Sequence, residues 1–291
     1  MIAIVDSGST KADWYVLAQN EVINSVNTTG FNPFFQDSDY IYNSLTEQLE
    51  YASWILEVKE VHYYGAGCSD DFRCEIVAKA LRRIFTNATV SVEHDILASA
   101  RATCGNKPGI ACILGTGSNS CLYDGEQLTD NVTNLGYLLG DEGSGGHLGK
   151  KLIQGYFYRE LPEDIKHDFE TNFPIDKRAF LNTIYGHEKP NVYLASFAKF
   201  ISNHKDHFYI QNLVNQAFGL FLDRHVRKYK GHNTLPIHFV GSVAFHFKDI
   251  LSISMSERNL EMGIVIKKPI TNLAQFHLLG DQFIPAEQSL T

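Results

Sequence analysis

The sequence predicts an α/β protein built as two similar domains, and three observations predict it. A continuous apolar run at 2–5, the signature of a buried strand, ends in the small-residue turn Asp6-Ser7-Gly8-Ser9-Thr10. The same signature returns at 110–114 and ends in Gly115-Thr116-Gly117-Ser118. Between the two stands Gly105-Asn106-Lys107-Pro108-Gly109, a run of breaker residues suited to a domain boundary. The expected domains are 1–106, joined by a C-terminal helix at 273–291, and 107–272, which carries a helical insertion.

In order along the chain, 12–17 and 21–26 read as strands around a Gln19-Asn20 turn, so the first three strands form an antiparallel meander. Residues 39–58 place Ile41, Leu45, Leu49, Ala52 and Leu56 on one helical stripe. A strand at 61–64 ends in Gly65-Ala66-Gly67, a helix covers 70–85, a strand at 89–92 runs into Glu93-His94-Asp95, and a helix covers 96–104. The second half repeats the opening, with strands at 121–123 and 127–132. A long helical stretch from about 145 to 229 is interrupted near Pro162, Pro174 and Pro190. Strands at 237–240, ending in Gly241-Ser242, and at 263–266 precede a closing helix near 273–279.

Composition narrows the function. In 291 residues, 44% are hydrophobic and the formal net charge is −8. That suits a globular chain with a real core and lacks the basic footprint that a nucleic acid or an anionic membrane requires. A nucleotide needs only local donors and a metal, so it stays within reach. Five cysteines, an odd number with no Cys-x-x-Cys spacing, argue against a disulfide framework or a structural zinc. The first apolar run meets Asp6 too soon for a signal peptide, and no run has transmembrane length. The expected location is the cytoplasm, with a homodimer as a compatible assembly.

Four elements carry candidate chemistry. In Asp6-Ser7-Gly8-Ser9-Thr10-Lys11, small residues let backbone N–H groups approach phosphate, Asp6 suits a hydrated Mg²⁺, and Lys11 adds a point charge. This is not a Walker A loop, and taken alone it reads more readily as a hairpin turn with no ligand. Gly115-Thr116-Gly117-Ser118-Asn119-Ser120 repeats the pattern, and two such loops opening two halves make a matched pair for phosphates. Leu139-Gly140-Asp141-Glu142-Gly143-Ser144-Gly145-Gly146 sets two acids among glycines before a helix, for sugar hydroxyls, a metal or a helix cap. Phe239-Val240-Gly241-Ser242 ends a strand with room for a flat ring.

In this order, the four elements resemble the actin-like ATPase superfamily of sugar kinases, Hsp70 and actin. Gly-Thr-Gly-Ser-Asn at 115–119, Gly-Asp-Glu-Gly-Ser at 140–144 and Val-Gly-Ser-Val at 240–243 are similar to the BadF/BadG/BcrA/BcrD group, and within it to the N-acetylglucosamine kinases. The resemblance spans most of the chain. It implies two RNase H-like domains flanking a nucleotide- and sugar-binding cleft, with ATP and Mg²⁺ as cofactors and an N-acetylated amino sugar as substrate. Asp6, Gly8, Ser9, Thr10 and Lys11, with Gly115, Thr116 and Gly117, would hold phosphates, and Asp6 would hold Mg²⁺ through water. Gly241 and Ser242 would border adenosine. Asn32, Ser118, Asn119 and Asp141 would contact sugar. Asp95 would be the general base, although locally it reads as well as the N-cap of a helix from Ile96.

Two departures bear on the substrate. Pro33-Phe34 follows Asn32 where the vertebrate enzyme has His-Trp, and Gly145-Gly146-His147 replaces a bulkier stretch. A more open pocket there would admit N-acetylmuramic acid, glucosamine or another hexosamine. The competing reading is an ATPase that activates a 2-hydroxyacyl-CoA dehydratase or a related reductase, with Cys104, Cys112 and Cys121 as iron–sulfur ligands. A non-catalytic, ATP-gated binding protein is a further alternative, using residues 145–229 as a partner surface.

Overall fold

A computed structural model describes residues 1–173, 176–186 and 189–287. The chain forms two compact units. The first comprises Met1–Lys107, Gly125–Gln127 and Lys268–Ala286. Its strands are β1 (Ile2–Ser7), β2 (Lys11–Ala18) and β3 (Glu21–Thr29), then β4 (Glu60–Gly65) and β5 (Thr89–His94). Helices α1 (Ser38–Gln48), α2 (Asp71–Ile84) and α3 (Asp95–Cys104) follow β3, β4 and β5 in turn. The sheet order is β3-β2-β1-β4-β5, antiparallel through β1–β3 and parallel from β1 to β5.

The second unit repeats this plan. It contains β6 (Gly109–Leu114), β7 (Ser118–Tyr123) and β8 (Leu128–Asp130), then a helical segment, then β9 (Ile237–Val240) and β10 (Met262–Ile266). The helical segment holds the single-turn α4 (Gly136–Leu139), α5 (Gly145–Phe157), α6 (Glu163–Asn172), α7 (Lys177–Gly186), α8 (Pro190–Ser196), α9 (Ala198–Asn203) and α10 (Phe208–Arg224). Helices α11 (Ser242–His246) and α12 (Lys248–Ser256) join β9 to β10, and α13 (Ile270–Leu279) belongs to the first unit. The order β10-β9-β6-β7-β8 has the same strand directions as the first sheet. Of the predicted breaks in the helical stretch, Pro162 caps α6 and Pro190 opens α8. Pro174 lies outside the described residues.

Sequence periodicity fails once, at 39–58. Helix α1 stops at Gln48, and a separate 3₁₀ turn covers Ser53–Glu57. Ile41, Leu45 and Leu49 are buried as the stripe predicts, but Leu56 is exposed. The break re-aims the chain so that Trp54 enters the core in its place, its ring 6.1 Å from Phe85, which stacks in turn on Trp14 at 6.0 Å. Burying an indole removes more apolar surface from water than burying a leucine, and tertiary packing thereby overrides the helical period. Trp14 also satisfies its Nε1–H on Thr28 Oγ1 at 2.9 Å.

The second core contains Leu114, Leu148, Phe169, Phe197, Phe218, Phe221 and Phe239. Tyr229, buried beside it, donates to or accepts from Ser120 Oγ at 2.8 Å and accepts from Val132 N at 3.0 Å. One phenol thus ties the segment after α10 to both β7 and the segment after β8. Tyr229→Phe is expected to strand both partners in a dry site and to lower unfolding stability by about 1–3 kcal/mol. Urea unfolding monitored by fluorescence would read this as a lower midpoint, and an unchanged midpoint would show that the bonds contribute nothing.

Candidate active-site loops

Parallel strands aim their carboxyl ends the same way, so each sheet gathers its Gly-rich loops on one edge. In the first unit that edge carries Asp6 to Gly8, Gly65 to Gly67, and His94 with Asp95. Asp6 pairs across the ladder with Tyr64, and Tyr64 with Glu93, so Asp6 and Glu93 stand two strand spacings apart, about 10 Å between backbones, with Asp95 two residues further on at the start of α3. Asp6 also sits directly opposite Asp13 of β2, an unfavourable like-charge pair. Lys268 answers it, with Nζ 2.9 and 2.8 Å from the two Asp13 oxygens, and Lys11 Nζ lies 4.0 Å from Asp13. Among the described residues no donor reaches the Asp6 carboxylate. Burial above all, then the charges of Asp95 and Asp13, raise its pKa to about 7 against the opposing pull of Lys268.

The turn at 8–10 is closed by Gly8 N–H on the Lys11 carbonyl at 3.0 Å. Gly30 lies so close beneath it that a Cβ would strike the Gly8 carbonyl, which is why this position takes glycine. That close approach delivers Asn32 to the loop: its Nδ2 donates to Ser9 Oγ at 3.2 Å, and its Oδ1 accepts from Phe34 N at 3.0 Å. The Asn32 amide also lies against Gly67, where a side chain would collide with it. Beside it the Phe34 ring carries the Arg73 guanidinium 3.7 Å from its centroid.

Asp95 is the first residue of α3, and His94 holds the cap position; its Nδ1 lies 3.3 Å from Ile96 N but nearer Asp95, and a ring proton given to Asp95 leaves that nitrogen unable to accept from Ile96. The alternative reading of Asp95 as the N-cap is therefore corrected: the helix starts one residue early, and the carboxylate is free of capping. Instead it takes a 2.6 Å contact from His94 Nδ1 and stays partly open to solvent. Burial disfavours the His94 imidazolium, but the hydrogen bond and charge of Asp95 outweigh it and raise the histidine above its ordinary pKa.

In the second unit, three loops are stitched by backbone. Gly145 N–H donates to the Gly115 carbonyl at 2.8 Å, and Gly146 N–H to that of Thr116 at 3.0 Å. A Cβ at either glycine would come within 3.2–3.3 Å of those oxygens. The glycines thus bring two chains together rather than opening space, contrary to the wider pocket expected at 145–147. Gly241, at φ +123, abuts the Leu114 carbonyl so closely that only glycine fits, which sets Ser242 beside the 115 loop.

Asp141 adopts a left-handed φ of 55, and its Oδ1 accepts from Ser118 N at 3.1 Å and Asn134 Nδ2 at 2.8 Å. Burial raises its pKa; the Ser118 and Asn134 bonds oppose this in part. Ser118 and Asp141 therefore meet, and Ser118 Oγ is buried with no partner among the described residues. Asn119 lies on the other face of β7, its Oδ1 engaged by Ser120 N at 2.9 Å and Asn131 Nδ2 at 3.2 Å. Glu142 turns into the unit, bonded to Arg224 and, at 3.3 Å, to His225. Its burial favours the neutral acid, but its own backbone N–H, Arg224 and His225 together hold its pKa low. The acidic pair thus divides: Asp141 faces the loop, and Glu142 anchors it to the end of α10. Thr116 and Gly117 N–H, like those of Ser9 and Thr10, donate to no described acceptor.

Asp13, Lys268 and His94 were not singled out by sequence. Strand alternation opposite Asp6 would have flagged Asp13, but nothing local flags Lys268. His204 and His207 end one helix and start the next, each 3.2 Å from an aspartate, Asp168 and Asp164.

No protein-family model matches the chain, and no curated protein matches it. Among solved structures, a candidate N-acetylglucosamine kinase from Porphyromonas gingivalis is 38% identical, with a TM-score of 0.92 over 96% of this chain and 99% of that one. A candidate N-acetylglucosamine kinase from Chromobacterium violaceum shares the fold at 16% identity and a TM-score of 0.68, covering 94% of this chain and 98% of that one. A ROK family glucokinase from Streptomyces griseus, solved with glucose and AMPPNP, shares it at 14% identity and a TM-score of 0.58, covering 96% and 99%. The order of loops on duplicated sheets and the near-complete match at 38% identity place this chain in the N-acetylglucosamine kinase-like family of actin-fold sugar kinases.

Proposed function

We propose that this chain transfers the γ-phosphoryl group of ATP to an N-acetylated amino sugar, with N-acetylglucosamine giving its 6-phosphate. One observation carries the reading beyond family membership: Asp95 stands at a strand's carboxyl end, uncommitted to capping, with its oxygen fixed by His94 at 2.6 Å. A carboxylate so held accepts the sugar hydroxyl proton as the new O–P bond forms; the bond from the γ-phosphorus to the β–γ bridging oxygen breaks, and ADP departs. His94, with its raised pKa, balances the charge beside it. The unpaired N–H groups of Ser9, Thr10, Thr116 and Gly117 suit phosphate oxygens, with Gly8 and Gly115 giving close approach and Lys11 adding charge. Gly241 and Ser242 suit adenosine. Asn32, Ser118 and Asp141 suit sugar hydroxyls, and the free Nδ2 of Asn119 is the weakest of that set.

Mg²⁺ fits the first unit. Asp6 is crowded by Asp95 and Asp13 and unserved by donors, an arrangement that a divalent cation would relieve. Among the described residues no group of three or more His, Cys, Asp or Glu forms a metal cage, and Mg²⁺ bound to phosphate needs only one or two carboxylates and water. When bound, the ion would neutralise phosphate charge. The reductase-activator reading loses support because Cys104, Cys112 and Cys121 are buried within their own units, away from any surface that a dimer-bridging cluster requires. All five cysteines are free thiols, which suits a reducing cytoplasm, and among the described residues no helix is long and apolar enough to cross a membrane.

Asp95→Asn is expected to lower sugar-dependent ADP release by about 10²–10⁴-fold while nucleotide affinity stays near that of the wild type. A variant with near-normal kcat would remove Asp95 as the base. For the nucleotide-free protein, Asp6 binds its proton more tightly folded, at about 7, than unfolded, near 4. Its contribution to stability is therefore present at low pH and lost as pH rises from about 4 through about 7. Asp6→Asn is expected to raise the thermal midpoint at pH 8, change it little at pH 4, and abolish Mg²⁺-dependent turnover. A midpoint lowered equally at both pH values would show that the carboxylate is not strained.

A further inference from the structure

An open groove of 590 Å³ runs between α5 and α10, and no residue assigned above to phosphate, adenosine or sugar lines it. The two helices are antiparallel: Gly143, before α5, packs on Phe218 and Phe221 near the end of α10, and Gly155 packs on Tyr209 near its start. Along α5, His147, Lys151, Gln154 and Tyr158 recur at helical spacing and form one wall. Asn212 and Gln216 stand on the other, over a floor of Leu213, Ala217 and Leu220.

The groove is chemically polarised. His147 Nδ1 accepts the Gly143 N–H at 3.2 Å, which puts the ring proton on Nε2 as a donor. Burial first, then Lys150 and Lys151, lower its pKa to about 4, so that donor is neutral and persistent. Lys151, at the next turn of the stripe, forms no ion pair with any described residue, and Gln154, Asn212 and Gln216 make no side-chain bond to any described residue. Glu160 stands at the far end. One end therefore offers a cation and an N–H donor, the middle offers three amides over apolar surface, and the other end repels anions. The volume lies within the range of small-molecule sites.

We propose that this groove is a second binding site for a hydroxylated small molecule bearing one phosphate, with the phosphate at His147 and Lys151 and the hydroxyls on Gln154, Asn212 and Gln216. Because His147 holds Gly143 of the loop that carries Asp141, occupancy bears directly on that loop. The product class of the proposed kinase, a hexosamine 6-phosphate, has this chemistry, and the choice of probe rests on that reading.

The test is calorimetric titration of the full chain with N-acetylglucosamine 6-phosphate, with saturating N-acetylglucosamine present to occupy the other site. The expected result is one further site, weakened about tenfold or more in both Lys151→Met and Gln216→Leu, as loss of a charge-assisted or amide bond implies. Both side chains are exposed, so folding should be retained, and circular dichroism checks it. Inhibition by the sugar phosphate should lower kcat in the wild type and become purely competitive with sugar in Lys151→Met. Equal affinity in wild type and variants, equal affinity for inorganic phosphate alone, or a change of oligomeric state in Gln216→Leu that marks a second copy as the occupant would each overturn the proposal. Binding that depends on Lys151 in a chain that phosphorylates no sugar would uphold the groove and overturn the kinase reading.

Discussion

The first unit depends on a charge imbalance. Asp6, Asp13 and Asp95 are brought to one sheet edge, and the cations that answer them, Lys268 and Lys11, both engage Asp13. A fold selected for stability alone would not set Asp6 across the ladder from Asp13 and leave its carboxylate without donors. Around it, Gly30 brings Asn32 against the turn after Asp6, and Asp95 contacts His94 at the start of α3. Such an arrangement favours a cationic ligand, which would relieve the repulsion.

The second unit solves the complementary problem with backbone. The bonds from Gly145 and Gly146 to the Gly115 and Thr116 carbonyls hold two loops at contact distance, and Gly241 closes on Leu114 from the adjacent parallel strand. The N–H groups of Thr116 and Gly117 in the 115 loop donate to no described acceptor. Glu142, paired with Arg224 and His225, ties its own loop to the end of α10. Two units of one topology thus differ in what orders their loops, side-chain charge in the first and backbone contact in the second.

Much of this was legible in the sequence, for physical reasons. Apolar runs ending in Gly/Ser/Thr turns report buried parallel strands whose loops gather at one edge, and this marked Asp6, Gly115 and Gly241 before any coordinates. What stayed hidden depends on contacts distant in sequence. Lys268 reaches Asp13 across 255 positions, and no local pattern encodes such a pair. The division of Asp141 from Glu142 required knowing that Arg224 lies behind the loop. The helix expected through 58 failed because the depth of one tryptophan outweighed the period of one leucine. The glycines at 145 and 146 mark close backbone approach to the loop at 115–116, a contact that their local sequence does not encode.

The central claim is sugar-dependent phosphoryl transfer, and the most direct measurement is ADP release from Mg·ATP against N-acetylglucosamine, N-acetylmuramic acid, N-acetylmannosamine, glucosamine, glucose and a control without sugar. The account predicts negligible release without sugar and strong stimulation by an N-acetylated amino sugar, N-acetylglucosamine foremost. Hydrolysis that proceeds equally with and without every sugar would contradict it.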